Sequence, residues 1–250
     1  MIIVFMKILR SVITYFNVLL FFLILIFFLF PFYLVCKIFL IERYVVGLSF
    51  IMMRACIKIS LWLAGIKIIV TGYENIPKKS NVIIMGNHIA AMDPLIFIYT
   101  FACPFVILAK HSLLRIPFVN IVLIVMGVIF VNRRSIRSAA AAEVKAIKVM
   151  REGRSIGIFP EGTRNRGGDT RVFKKGSIKM ALKTGTSILP VTLYNTNNFF
   201  IKNIIFNSGL SVYIHVHPLI DVLKLSEYEK ENLTSIIRDQ IVKKLETIKI

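Results

Sequence analysis

Acidic side chains are scarce in this sequence: 13 Asp and Glu stand against 32 Lys and Arg, a formal net charge of +19. That balance points to an anionic partner, either a nucleic acid or an anionic lipid surface. Nucleic-acid signatures are missing. There is no zinc-finger spacing, no RNA-binding aromatic motif and no basic-region heptad pattern. Cysteine is also sparse. Cys36, Cys56 and Cys103 all sit in apolar stretches without metal-type spacing. They read as buried thiols, and their use suits a reducing compartment. No P-loop and no dinucleotide glycine fingerprint occurs, so no nucleotide cofactor is expected. No serine or cysteine lies in a nucleophile-elbow context, which argues against a covalent intermediate on the chain. His215 and His217 share one strand face, but no further ligands accompany them, so no metal site is expected.

What the sequence has in excess is apolar residues, 56% of its 250 positions, against about 45–50% in ordinary globular domains. Residues 11–36 carry no charge; Arg10 precedes them and Lys37 follows. As a helix this run can cross a hydrocarbon core of about 30 Å. It is too long for the core of a cleaved signal peptide, and Phe30-Pro31-Phe32-Tyr33 makes a poor cleavage site. Residues 44–66 are also apolar but contain Arg54 and Lys58, which the helical period puts on one face. Such a helix favours the interface, with both cations toward the headgroups. The two segments together predict a helical hairpin dipping into one leaflet, with Pro31 kinking its first arm. Cations flank both ends of the hairpin, so its orientation stays open.

After Gly72 the texture changes to short apolar runs alternating with amphipathic stretches. Residues 81–85, 105–109, 128–131, 155–159, 188–193 and 211–217 read as strands. Helices are expected over 137–152 and 176–184, stopping at Gly153 and Gly185. A last helix is expected from Ser226 to the end of the sequence, with Glu229 completing a capping box. The expected architecture is a single layered α/β domain, residues 71–250, with a mostly parallel or mixed sheet, preceded by N-terminal membrane-anchoring helices over residues 1–70. No internal repeat or low-complexity linker interrupts it.

Four clusters carry the chemistry. Asn87-His88-Ile89-Ala90-Ala91-Met92-Asp93-Pro94 follows the first strand-like run, where open α/β sheets place ligands. Asp93-Pro94 is a good helix start, Asp as N-cap and Pro at N1. The same carboxylate can fold back onto the His88 ring and leave its other nitrogen free to take a proton from a hydroxyl. A second strand ends in Asn132-Arg133-Arg134. A third ends in Phe159-Pro160-Glu161-Gly162-Thr163-Arg164 and leads through Gly167 and Gly168 to Lys174 and Lys175. Glycines there let backbone approach a ligand, and Arg164 offers the planar fork that suits phosphate. The fourth, Ile188-Leu189-Pro190-Val191-Thr192, reads by itself as a buried strand. Any one of these is a weak signal.

Together, and in this order, the four blocks over residues 81–195 resemble the glycerophospholipid acyltransferase family. The resemblance implies transfer of a fatty acyl group from acyl-CoA or acyl-ACP to the free hydroxyl of a lysophospholipid. Lysophosphatidate is favoured by the phosphate-type cations. No bound cofactor is implied, the thioester being a co-substrate. The resemblance makes His88 the general base and Asp93 its partner. It sets Arg133, Glu161, Gly162, Thr163 and Arg164 around the glycerol phosphate, and Lys110, before Ile116-Pro117-Phe118, beside them. It also implies a two-helix membrane motif and a place on the inner membrane with the site facing the cytoplasm. Family members often carry Gln-Ser after the Asn-His; here Ile89-Ala90 stand there, and a supporting hydrogen bond is in question. Two alternatives stay open: another acceptor such as glycerol 3-phosphate or a different lysolipid, and a non-catalytic protein that clusters anionic lipid.

Overall fold

The computed structural model describes residues 2–78, 81–132, 134–166, 168–201 and 204–248. Arg133 and Gly167, both singled out above, lie outside the described residues. The chain opens with α1 (Ile2–Ile24), a π-helical turn (Leu25–Leu29), α2 (Phe30–Ile38) and α3 (Glu42–Ala64). Pro31 has no N–H to give, so the helical ladder cannot continue unchanged through Phe27, and the wider π turn falls just before it. The rest alternates β1 (Lys67–Thr71), β2 (Ile83–Gly86), α4 (Asp93–Thr100), β3 (Phe105–Lys110), α5 (Val119–Val125) and β4 (Ile129–Val131). It continues with α6 (Ile136–Arg151), β5 (Ser155–Ile158), α7 (Lys175–Thr184), β6 (Ile188–Tyr194), β7 (Phe200–Ile201), β8 (Ile205–Phe206), β9 (Ser211–Val216) and α8 (Glu227–Ile248).

Among the described residues, seven strands form one sheet in the order β1-β9-β6-β2-β5-β3-β4. Every pairing in it is parallel except β6 with β9, so β1 and β9 run against the other five. The mostly parallel α/β domain expected from the sequence is present. Strand β1 and the small hairpin β7–β8 were not anticipated, and β1 straddles residue 70. Helices cover both faces of the sheet. Ile84, Ile107, Leu189, Val191 and Val212 pack toward the N-terminal helices, α4 and α5. Ile83, Met85, Val106, Ile156 and Ile188 pack toward α6, α7 and α8.

Local sequence explains the helix limits. The helix α3 buries Met53, Ile57 and Leu61, and α8 buries Leu233, Ile237 and Ile241, each a ladder at i, i+4. Helix α7 ends where Gly185 takes φ +65°, a conformation cheap only without a Cβ. The capping box forms: Ser226 N donates to Glu229 at 2.8 Å and Glu229 N donates to Ser226 Oγ at 3.3 Å.

The N-terminal hairpin is docked on the domain, not trailing from it. Ser11 Oγ accepts from Phe206 N at 2.9 Å, and Asn17 donates to Ser60 at 2.9 Å across α1 and α3. The other side of these helices is bare grease: Phe5, Phe16, Phe27, Phe28, Phe32, Ile38 and Trp62 are all exposed. Ile2–Ile38 and Glu42–Ala64 are each long and apolar enough to cross a membrane. One expectation fails here. Arg54 is half-buried and turned to α4, where its Nε donates to the Tyr99 carbonyl at 3.2 Å and satisfies the C-terminal end of that helix. Lys58 alone of the pair is exposed. The cysteines also differ from expectation: Cys36 is buried, Cys56 half-buried and Cys103 exposed, all as free thiols. High-salt and carbonate washes are expected to leave the protein in the sedimented membranes, because apolar burial, not charge, holds this belt. Release by either wash would contradict that account.

One buried titratable group lies away from the sheet edge that carries the motifs. His217 Nε2 pairs with Thr192 Oγ1 at 2.7 Å, and His215 Nδ1 with Thr71 Oγ1 at 2.8 Å. Burial, then the neighbouring His215 and Lys244, lower the His217 pKa from 6.5 to about 4. The unfolded chain therefore binds this proton more tightly than the native one. The stability contribution is whole above pH 6.5 and erodes as pH falls toward 4. The difference in melting temperature between the wild type and His217→Gln is expected to change across that window and be flat above it. A constant difference would refute the assignment.

Candidate active site

The motif-bearing residues gather at the carboxyl ends of four adjacent parallel strands. In sheet order, β2 leads to His88, β5 to residues 159–164, β3 ends at Lys110 and β4 ends at Val131. Neighbouring strands lie about 4.8 Å apart, so the order of the sheet, not of the chain, assembles the site.

Asn87 anchors the first loop. Its side-chain amide is fully buried and bonds both backbone groups of Leu193, accepting from N at 2.8 Å and donating to O at 2.9 Å. It acts as an extra peptide unit joining the loop after β2 to β6, which is why an amide side chain serves here. His88 follows. Its Nδ1 lies 2.8 Å from Asp93 Oδ2. A carboxylate only accepts, so Nδ1 carries the proton and Nε2 is left as the acceptor. The ring stacks on Phe159 at 4.4 Å between centroids, and Phe159 stacks in turn on Phe97 at 4.9 Å.

Asp93 is completely buried and fully engaged. Oδ2 also accepts from Ile89 N at 2.6 Å and Ala90 N at 2.9 Å, while Oδ1 accepts from Thr196 Oγ1 at 2.5 Å. This corrects the N-cap reading. Asp93 is the first residue of α4, Met92 is the cap position, and the carboxylate bonds backward into the His88 loop. It also answers the concern over Ile89-Ala90. Those residues support the carboxylate through their main chain, so their apolar side chains cost nothing.

Glu161 differs from its expected place. It is 3% exposed, and its two oxygens accept from His88 N at 2.7 Å and Arg171 N at 3.0 Å. Burial raises its pKa above the usual carboxylate value, while the two backbone bonds pull it down. The side chain ties the loops together, and it is spent on the two main-chain amides and on the Asn165 side chain. Two backbone bonds draw the same loops closer: Asn165 N to His88 O at 2.7 Å and Arg166 N to Ile89 O at 3.1 Å. Gly162 has φ +70°, and a Cβ there would sit 2.9 Å from Lys174 Nζ. The positive φ favours glycine, while the end of the Lys174 side chain is free to move aside. Thr163 and Arg164 stand exposed on this loop, and Lys110 is exposed two strands from β2. His88, Asp93, Glu161 and Gly162 are thus brought into one bonded unit, with Thr163, Arg164 and Lys110 along the same rim. Sequence reasoning missed Thr196, which is 103 residues from its partner and carries no local signal.

A family model described as Acyltransferase matches residues 67–194, more than half the chain. The chain belongs to the acyltransferase family. Over its whole length it is 99% identical to the 1-acyl-sn-glycerol-3-phosphate acyltransferase of Borreliella burgdorferi, covering 100% of both chains. It is 34% identical to the Salmonella typhimurium 1-acyl-sn-glycerol-3-phosphate acyltransferase, over 68% of each chain. It also superposes on the crystal structure of the 1-acyl-sn-glycerophosphate (LPA) acyltransferase PlsC from Thermotoga maritima. That match has a TM-score of 0.73 and 26% identity, and covers 97% of this chain and 96% of that one. The acyltransferase match begins at β1 and takes in every described rim residue. This acyltransferase is membrane-associated, and its exposed apolar helices are the candidate membrane spans.

Proposed function

We propose that the protein transfers a fatty acyl group from a thioester donor, acyl-CoA or acyl carrier protein, to the 2-hydroxyl of 1-acyl-sn-glycerol 3-phosphate, giving phosphatidate. The observation that carries the reading is the His88–Asp93 pair at 2.8 Å beside a cationic rim, in a chain whose relatives bear that activity in their names. His88 Nε2 takes the hydroxyl proton as the oxygen attacks the thioester carbonyl. Asp93 holds the tautomer and stabilises the imidazolium as it forms. The ester forms, the carbon–sulfur bond breaks, and the imidazolium returns its proton to the leaving thiolate. Arg164, Lys110 and Arg133 hold the phosphate, while Thr163 and the Gly162 backbone face the glycerol. Glu161 acts by positioning the loop. The lysolipid's acyl chain remains in the leaflet that holds the exposed helices. The free-thiol cysteines fit a site on the cytoplasmic side of the inner membrane.

The test is acyl transfer by purified protein in vesicles, with lysophosphatidate and glycerol 3-phosphate offered separately to each donor. Turnover of lysophosphatidate well above glycerol 3-phosphate is expected, and the reverse order would sink the acceptor assignment. The phosphate contact makes a further prediction. Arg164→Ala is expected to raise KM for lysophosphatidate by one to two orders of magnitude, since a charge-assisted hydrogen bond contributes about 1.5–3 kcal/mol. Arg164→Lys recovers part of this, having charge without the planar fork. Unchanged KM in Arg164→Ala removes that residue from the site.

A further inference from the structure

The sheet face away from the membrane helices carries an open groove of about 400 Å³. Its walls are Leu108 and Ile158 of the strands, Ala139 and Ala140 of α6, and Gly176 and Met180 of α7. It shares a wall with the candidate active site. Phe159, Pro160 and Gly162 line it, the Phe159 ring stacks on His88, and the intervening Glu161 holds His88 N. Its volume falls in the range of small-molecule sites, about 300–1,000 Å³.

We propose that this groove takes the phosphopantetheine arm of the acyl donor, so that donor and acceptor reach His88 from opposite faces of the sheet. The inference rests on the acyl-transfer reading above. Three observations select this occupant. The exposed apolar belt that accepts lipid lies on the other face, which leaves this one for a donor arriving through water. Both helices that wall the groove begin at the active-site edge, and the exposed cations Arg134, Arg137, Lys174 and Lys175 cluster at their first turns. Arm and carrier are anionic, so charge complements there. The walls are mostly apolar, with Lys174, Ser177 and Glu143 as their polar members. Glu143 is paired with Lys183 at 2.6 Å, which offsets its charge, and the mixture suits a chain of methylenes broken by amides. Coenzyme A and acyl carrier protein share this arm, and running both donors identifies the carrier.

The test fills the groove from either wall with Ala140→Phe and Gly176→Leu. Ala140 is an exposed helical position, and a side chain built on Gly176 meets nothing within 4 Å, so both variants keep the fold. Kinetics are measured with the carrier that the wild type uses, and with the N-acetylcysteamine thioester of the same acyl chain, which lacks the long arm. Binding of coenzyme A itself is read in parallel by equilibrium dialysis. The expected result is a tenfold or greater rise in KM for the full donor, with KM for lysophosphatidate within twofold. The short thioester should change less than twofold, and coenzyme A binding should weaken in step. Unchanged donor KM overturns the proposal. So does an equal loss with both thioesters, which would assign the groove to the acyl chain. Coenzyme A binding that is equal in all forms, or absent from all, also overturns it. Failure of the wild type to acylate lysophosphatidate, with coenzyme A binding still sensitive to groove filling, strikes the acceptor reading alone.

Discussion

Replacing His88 with alanine is expected to lower kcat for acyl transfer by about 10²–10⁴, the usual worth of a general base. The protein should stay folded and on the membrane. Asp93 is the reason. Without the imidazole its Oδ2 still accepts from Ile89 N and Ala90 N, and its Oδ1 from Thr196. No buried charge is stranded, which is the usual route to a large loss of stability. The loop also keeps the backbone bond between residue 88 N and Glu161, because that donor does not depend on the side chain. What disappears is the Nδ1–H bond to Asp93, one stacked contact with Phe159 and the proton acceptor itself. The measurements are kcat with lysophosphatidate, the melting temperature, and the distribution between membrane and soluble fractions. A rate near wild type, with the protein folded, would withdraw His88 from the chemistry and favour a protein that only gathers anionic lipid.

The sequence made some of this legible and hid the rest for physical reasons. Strand runs such as 81–85 and 155–159 are dense in buried apolar residues, and the His88 and Glu161 motifs follow them directly, so their place at strand ends could be read locally. The i, i+4 ladders of α6 (Ala142, Ala146, Met150) and α8 and the Ser226–Glu229 box are local too. The missed features depend on distant partners. Thr196 reaches Asp93, Asn87 spans to Leu193, and Arg54 reaches Tyr99. None of these leaves a periodic trace. Strand β1 is short and follows an apolar helix without a polar break, so its pattern merges with the helix before it. Glu161 shows a different limit. Its presence in a charged, glycine-rich block suggested contact with substrate, but a carboxylate and two unpaired backbone N–H groups on neighbouring loops satisfy each other when buried. Only the fold shows which partner it took.

Asp93→Asn is the substitution that separates charge from shape. The buried site has three donors aimed at Oδ2, from His88, Ile89 and Ala90, and one hydroxyl at Oδ1. An asparagine can place its carbonyl oxygen at the Oδ2 position and keep all three donors. Its NH₂ then faces Thr196, whose hydroxyl can rotate from donor to acceptor. The four hydrogen bonds seen at the carboxylate each keep a counterpart, with one amide hydrogen added, the volume is nearly unchanged, and the His88 tautomer is held. The one thing lost is the negative charge beside the ring. That charge matters when His88 takes the hydroxyl proton and becomes an imidazolium, because a buried anion at 2.8 Å lowers the energy of the developing cation. The expected outcome is therefore a fall in kcat of about 10²–10⁴, the same range as loss of the base, with KM for lysophosphatidate and the melting temperature little changed. Thr196→Val in the same background tests the internal logic. In Asp93→Asn it removes the acceptor that Thr196 offers the new NH₂, so stability should drop further, by about 1–3 kcal/mol for an unsatisfied buried polar group. If Asp93→Asn turns over at a near-normal rate, the carboxylate serves only to shape the loop, and His88 works without an anionic partner.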